Sequence, residues 1–380
     1  MEDMRRTAVR TAVPVVAVSL GLAACTPGEG ETPDEGATVA TTQPAAETPE
    51  SAIPEEPVVL ATGLDVPWSL QRLDEDRTLV SLRDEARIVM LDAEGQQHEV
   101  AEVPDAVPGG EGGLLGLAAD AEHSTLVAYL TAAEDNRVLV FPMDAHGSGA
   151  PRLGEPETIV EGIPKSTTHN GGRIAFGPDG LLYIGTGDAG TPEASQDPES
   201  LAGKILRVNP DGSAPEDNPF PDSPVYSLGH RNVQGLDWDA EDRLWASEFG
   251  AATWDELNLI EPGGNYGWPQ TEGAGGGTEF IDPVHQWATA EASPSGIAVV
   301  GDRVLVASLR GERLWSVPVD ADAETSEGED GAEALITGEY GRIRDVVAGP
   351  EGSAWLLTGN TDGRGDPGAD DDRLIQLPLG

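Results

Sequence analysis

The chain has 380 residues, 48 of them Gly and 30 Pro, with 38% apolar residues, enough for a large all-β domain if the polar excess is gathered in loops and tails. Twenty-two Lys and Arg against 68 Asp and Glu give a formal charge of -46, which repels phosphate backbones and excludes a nucleic-acid partner. The only Lys residues are Lys165 and Lys204, so nearly every cation is an Arg.

In chain order, residues 1–24 have the form of a secretory signal: Arg5, Arg6 and Arg10 precede the apolar run "TAVPVVAVSLGLAA". The run is too short to span a bilayer comfortably, which argues against a transmembrane anchor. Leu22 to Cys25, "LAAC", matches the site at which bacterial lipoproteins are cleaved and lipidated, here on Cys25. Cys25 is the only cysteine, so the folded part has neither thiol nor disulfide. Residues 25–57 are rich in Pro, Glu and Thr and read as a disordered tether. The expected location is extracytoplasmic, held to the outer face of the cell membrane by the N-terminal lipid.

Residues 58–380 repeat one template about six times, at roughly 45–60 residues per unit. Each unit has an apolar strand, a turn rich in Asp, Gly and Pro, and a second strand ending in small residues. "VPWSLQRLDEDRTLVSL", "GGLLGLAADAEHSTLVAYL", "GGRIAFGPDGLLYIGTG", "VQGLDWDAEDRLWASEF", "PSGIAVVGDRVLVASL" and "RDVVAGPEGSAWLLTG" are the six hairpins. Third strands such as "RIVMLD", "KILRVNPDG" and "RLIQLPLG" follow. The pattern predicts an all-β fold, a six-bladed β-propeller of four-stranded antiparallel blades. A β-sandwich array would not repeat one hairpin in this way. "PVVLATGL" (Pro57–Leu64) is expected to supply the outer strand of the last blade and close the ring.

With the turn residues Asp120, Asp179, Glu241 and Glu351 as a ruler, the starts of the first strands carry Asp65, Glu111, His169, Arg231, Glu291 and Arg342. The ends of the second strands carry Arg83 and Asp84, Thr131, Asp188, Glu248, Arg310 and Thr358–Asn360. In an antiparallel hairpin these two ends coincide, so both sets are expected at one mouth of the central channel. There a neutral His169 can take a proton, with Asp188 as a candidate partner for its other nitrogen. Arg231, Arg310, Arg342 and Arg344 suit a polyanion, because each guanidinium can fork onto a carboxylate. The turn after "SEF", with Asp255 and Glu256 beyond it, offers hard oxygen donors for Ca²⁺. No Gly-x-Gly-x-x-Gly follows a strand within a βαβ unit, and neither a Gly-x-Ser-x-Gly elbow nor a His-Glu-x-x-His helix occurs.

"GGEGGLLGLA", "HNGGRIAFGPDGLLYIGTGD", "LAGKILRVNPDGSAPEDNPF", "YSLGHRNVQGLDWD", "SEFGAATWDELNLIEPGGNYGWP" and "GRIRDVVAGPEG" together resemble the soluble glucose/sorbosone dehydrogenases. These are quinoprotein aldose dehydrogenases that use pyrroloquinoline quinone (PQQ) and Ca²⁺ on a six-bladed propeller. The resemblance implies oxidation of an aldose sugar at C1 to the lactone, with electrons passed to an acceptor the sequence does not identify. It implies His169 as general base and substrate contact, Asp188 as its orienting carboxylate, and Arg231 and Asn232 as contacts to cofactor and reacting oxygen. Arg342 and Arg344, with Arg310, match cofactor-binding positions. Gly250 and Ala251 match the positions whose backbone carbonyls hold the ion, with Asp255 close by. The chain departs from the family pattern at Glu111, a substrate position where Gln is expected, at Arg310 for Lys, and at Ala251 for Pro. Phe249, Ala252 and Trp254 make the calcium loop less polar than expected. The alternatives are a non-redox propeller that binds carbohydrate or protein, and a Ca²⁺-dependent lactone hydrolase holding its metal through side-chain carboxylates in the channel.

Overall fold

A computed structural model of the chain describes residues 56–120, 124–320 and 331–379. The leader, Cys25 and nearly all of the tether lie outside the described residues. Among those described, no helix is long and apolar enough to cross a membrane.

Six antiparallel sheets follow one another along the chain, each running from an inner strand outward. The inner strands are Pro67–Arg72, Leu114–Ala119, Ile174–Phe176, Val233–Trp238, Pro294–Val300 and Ile343–Ala348, for blades 1 to 6. They pack side by side in a ring, blade 6 against blade 1. The outer strand of blade 6 is Val58–Ala61, antiparallel to Leu374–Leu377, so the segment before the first hairpin closes the ring as expected. Blade 2 carries one extra two-residue strand, Arg152–Leu153.

The hairpin turns form because a short carboxylate can accept from backbone N–H groups two to four residues on. Asp74 takes Asp76 and Arg77, Asp120 takes Ser124, and Asp179 takes Leu181. In blade 4 the turn is made by Asp239, which takes Glu241 and Arg243, rather than by the ruler residue Glu241. In blade 6, Glu351 stands at φ 52° within a short 3₁₀ turn, Pro350–Gly352.

Strands with both faces covered read as unbroken apolar runs rather than alternating ones. Here the covering comes from neighbouring blades. Six buried clusters lie one at each blade-to-blade seam, for example Leu79 and Ile88 with Leu126 and Phe141 between blades 1 and 2. Trp355 and Leu357 meet Leu70 and Val80 at the seam that closes the ring.

A polar brace crosses the channel. Arg173, from the start of blade 3, sends Nη1 to Asp345 Oδ2 of blade 6 (2.9 Å) and to Ser69 Oγ of blade 1 (3.2 Å). Its Nε donates to the Gln234 carbonyl of blade 4 (2.8 Å), and the guanidinium lies 4.5 Å from the centre of the Trp68 ring. Asp345 also accepts the N–H groups of Leu70 and Val346. Burial raises the Asp345 carboxyl even with Arg173 beside it, so desolvation consumes most of the attraction within the pair. Breaking one side is therefore costlier than the pair is favourable. Asp345→Asn is expected to destabilise the fold by about 3–5 kcal/mol in urea unfolding, and Arg173→Met in the same chain to recover much of that loss.

Candidate active site

His169 precedes blade 3 with φ 57°, a conformation that is unusual for a residue with a side chain. Two hydrogen bonds and a close-fitting glycine hold it there. Its N–H donates to Glu111 Oε2 (2.9 Å), its carbonyl accepts from Ala189, and a Cβ on Gly187 would lie 1.9 Å from that carbonyl. The glycine after the second strand of blade 3, in "GTGD", is thus required by the histidine backbone. The chain after that strand is tied in turn to the start of blade 4, where Asp188 N–H donates to the Arg231 carbonyl.

The imidazole is held from both sides. Nδ1 is 2.7 Å from Asp188 Oδ1, and Arg231 Nη2 donates to Nε2 (2.8 Å). An ionised carboxylate only accepts and a guanidinium only donates, so Nδ1 carries the hydrogen and Nε2 presents its lone pair. Asp188 is buried and also accepts from Gly190 N–H (2.8 Å) and from Trp268 Nε1 (2.9 Å). Burial alone would raise its carboxyl; the donors, His169 foremost, outweigh it and hold it below the ordinary range. Arg231 is stacked 5.4 Å from the centre of the Trp268 ring, and its Nη1 donates to the Phe249 carbonyl. Asn232 Oδ1 accepts from Gly171 N–H. The buried Asn232 Nδ2 and Arg231 Nε have no partner among the described residues.

Beside the base lies a narrow cleft of about 20 Å³, with Trp68, Arg83, Glu111, Gln234, Arg344 and Asp362 in its wall. Glu111 reaches from it to the His169 backbone, and Phe249, also lining it, takes Arg231. Asp362 Oδ2 accepts from both Arg342 (2.7 Å) and Arg344 (3.3 Å). Burial would raise the Asp362 carboxyl, but the two guanidiniums, Arg344 first, hold it low. Burial pushes Arg344 down to about 10. Glu111 is also paired: its second oxygen takes Arg364 Nη1 at 2.8 Å, so the carboxylate standing where Gln is expected has a guanidinium against it.

The expected residues thus separate into groups. His169, Asp188, Arg231, Asn232 and Glu111 converge, and Arg342 and Arg344 meet over Asp362. Gly250 and Ala251 join the site through their neighbour Phe249. Asp255 is buried with both oxygens on backbone N–H groups, Gly250 (2.8 Å) and Ser293 (2.6 Å), and burial raises its carboxyl. Arg310 is exposed, next to the buried Leu309 of the cleft wall. Asp65 and Glu291 are exposed as well, while Thr131 and Thr358 spend their hydroxyls on Asn136 and Asp372. The ruler missed Asp362, two residues beyond the Thr358–Asn360 strand end, and Arg364 and Gln234. Trp268 lay within the quoted "GGNYGWP" without a role assigned to it. Among the described residues no three His, Cys, Asp or Glu side chains cluster to hold a metal.

The fold and the site define a class of protein, a six-bladed propeller with a carboxylate-oriented histidine beside an arginine-lined cleft at one channel mouth. A profile of the Glucose / Sorbosone dehydrogenase family matches residues 64–368, and the chain belongs to that family. The aldose sugar dehydrogenase YliI of Escherichia coli is 29% identical over 342 residues, covering 80% of this chain and 90% of the relative. Quinoprotein glucose dehydrogenase B of Acinetobacter calcoaceticus is 31% identical over 251 residues, covering 57% of this chain and 52% of the relative. Among solved structures, the PQQ-bound aldose sugar dehydrogenase of Streptomyces coelicolor is 51% identical, with a TM-score of 0.80 over 86% of this chain and 99% of that one.

Asp188 and Asp362 both titrate below their unfolded value of about 3.9, so the stability they contribute is complete above that value and is lost as the pH falls through their lower folded values. Unfolding free energy is therefore expected to drop steeply below about pH 4, and less steeply in Asp188→Asn. Urea unfolding of the two proteins between about pH 5 and 2.5 checks this; parallel curves would remove Asp188 from the account.

Proposed function

We propose that the chain is a quinoprotein aldose dehydrogenase, which oxidises the C1 hydroxyl of an aldose to the lactone with PQQ and Ca²⁺. The observation that carries the reading is the Asp188–His169–Arg231 constellation beside a cleft lined by Arg344 and by Asp362, which Arg342 also pairs, in a chain 51% identical to a PQQ-bound relative. The donor set fits the cofactor. Two guanidiniums suit a tricarboxylate, and the unpartnered Asn232 Nδ2 and Arg231 Nε are buried donors suited to its oxygens. The carbonyls of Gly250 and Ala251 are hard oxygen donors of the kind Ca²⁺ takes.

Bound PQQ supplies the two-electron acceptor for the hydride that leaves C1, with Ca²⁺ polarising its quinone carbonyl. This chain's residues manage the proton and the placement. His169 Nε2 takes the hydroxyl proton. Asp188, ionised and bonded to Nδ1, keeps the ring in the required tautomer and stabilises the imidazolium that forms. Arg231 Nη2 now holds Nε2, so a sugar hydroxyl that takes that place meets the base with a guanidinium beside it. Glu111 holds the histidine backbone, and its pairing with Arg364 limits the negative charge set beside the base. The electron acceptor is a separate partner. Lipidation of Cys25 would keep the reaction on the outer face of the membrane; intact-mass measurement of the membrane fraction, with Cys25→Ala released from it, tests that part.

The central test is to add PQQ and Ca²⁺ to the purified chain and to follow dye reduction by several aldoses. Sugar-dependent reduction with one PQQ bound per chain is expected; no PQQ binding and no reduction would reject the reading. His169→Gln is expected to lower kcat by about 10²–10⁴-fold while PQQ affinity stays within about twofold. A variant with wild-type kcat would take the proton-abstracting role from His169.

A further inference from the structure

The loop from Phe249 to Trp254 links the second and third strands of blade 4, and one carboxylate oxygen organises most of it. Glu272 Oε1 accepts from four consecutive backbone N–H groups: Ala251 (2.7 Å), Ala252 (2.8 Å), Thr253 (2.9 Å) and Trp254 (3.2 Å). Immediately before them, Gly250 N–H is taken by Asp255 Oδ1. Five successive amide hydrogens thus end on two carboxylates. The loop packs so closely around this point that a Cβ on Gly250 would lie 1.6 Å from the Trp254 carbonyl oxygen and 2.9 Å from Glu272 Oε1.

A trans peptide is planar, with its N–H and C=O directed oppositely. The peptide whose N–H belongs to Ala251 carries the Gly250 carbonyl, and the one whose N–H belongs to Ala252 carries the Ala251 carbonyl. Binding both hydrogens to Glu272 therefore turns both carbonyls away from it. The preceding peptide displays the outcome: its Gly250 N–H is held by Asp255, and its other end, the Phe249 carbonyl, accepts from Arg231 beside the catalytic histidine. An anion at the N–H ends also polarises each peptide and enriches its oxygen in negative charge.

We propose that Glu272 is the positioning residue of the cation loop: it anchors the amide hydrogens of residues 251–254 so that the Gly250 and Ala251 carbonyls are presented to a divalent cation. This deepens the Ca²⁺ reading above and rests on it. Side chains at 251 to 253 are free to be Ala or Thr, because the backbone does the binding.

The test measures Ca²⁺ binding to the full chain by calorimetry, with PQQ present at saturation and absent, and the Ca²⁺-dependent rise in Tm, neither of which requires turnover. Glu272→Ala is expected to weaken Ca²⁺ binding about 10–100-fold, as outer-shell changes do. Glu272→Gln, which keeps an acceptor oxygen and loses the charge, is expected to fall between Ala and wild type. Wild-type Ca²⁺ affinity in Glu272→Ala would overturn the proposal. Should that variant not fold, Glu272→Gln decides alone, and affinity equal to wild type overturns it. A wild-type chain that binds PQQ but no Ca²⁺ would also overturn it while leaving the quinoprotein reading in place, whereas loss of PQQ binding as well would remove both.

Discussion

Everything at the channel mouth rests on the guanidinium of Arg173 lying across the channel. A propeller has no material at its axis except what the inner strands and their ends send there, and here that includes an ion pair with polar satellites, packed on Trp68. Arg173 ties blade 3 to Asp345 of blade 6, Ser69 of blade 1 and the Gln234 carbonyl of blade 4. Such a pair adds little net stability once desolvation is counted, but it fixes geometry, because a displaced member would leave a buried charge uncompensated. Two residues in contact with this brace, Trp68 and Gln234, line the cleft as its floor. Trp68 lies against Arg173 on one side and 5.9 Å from Arg344 on the other, and the Gln234 side chain accepts from Arg344 Nη1 and Ser295 Oγ. The anion-binding arginine and the structural brace thus share a tryptophan and a glutamine, and the one cannot shift without the other.

Above that floor, the catalytic group is assembled from loops belonging to different blades. Glu111 comes from the start of blade 2, His169 and Asp188 from the two ends of the blade 3 hairpin, Arg231 from the start of blade 4, and Asp362 and Arg364 from the long connection in blade 6. Backbone bonds join neighbouring blades at the mouth, Asp188 N–H to the Arg231 carbonyl and Glu111 N–H to the Thr167 carbonyl, but the Arg364–Glu111 pair needs the ring to be closed. Closure falls to four residues, Val58–Ala61, from the beginning of the domain. Their pairing with Leu374–Leu377 brings blade 6, and with it Arg364, against Glu111.

How much of this could be read from the chain follows from how local each feature is. The hairpins were legible because a turn aspartate and its flanking apolar runs lie within a dozen residues of one another, and six repetitions leave little doubt about the architecture. The pairing of His169 with Asp188 was legible for the same reason, since both sit at the ends of one hairpin. Even there the ruler slipped in blade 4, where the shorter Asp239 takes the turn amides and Glu241 does not. Asp362, Glu272 and Arg364 were not visible, because each sits in a connection whose path no period constrains. Their partners are 18 to 253 residues distant, as with Arg344 and Asp362 or Glu111 and Arg364. Glu111 looked like an intrusive charge in the sequence alone; the guanidinium that answers it comes from the far end of the chain.

The acidic composition raises a physical question of its own, since a chain of charge -46 is a poor host for an anion. The site resolves it by setting its carboxylates to work on the backbone. Glu111 takes His169 N–H, Asp188 takes Gly190, Glu248 takes Arg231, Asp255 takes Gly250 and Ser293, and Glu272 takes four amides. Each such bond satisfies an amide that the irregular loops could not pair otherwise, and the amide dipole offsets part of the carboxylate charge. Part of the charge of an anchored carboxylate is thereby taken up, so Glu111 and Asp362 stand in the cleft wall paired with Arg364 and with Arg342 and Arg344. Arginine rather than lysine suits this division of labour, because its fork can satisfy an internal acid such as Asp362 through one nitrogen and keep others for a ligand. Acidity that would repel a polyanion if it were displayed becomes, once spent on amides, the means by which the loops that would bind one are held in place.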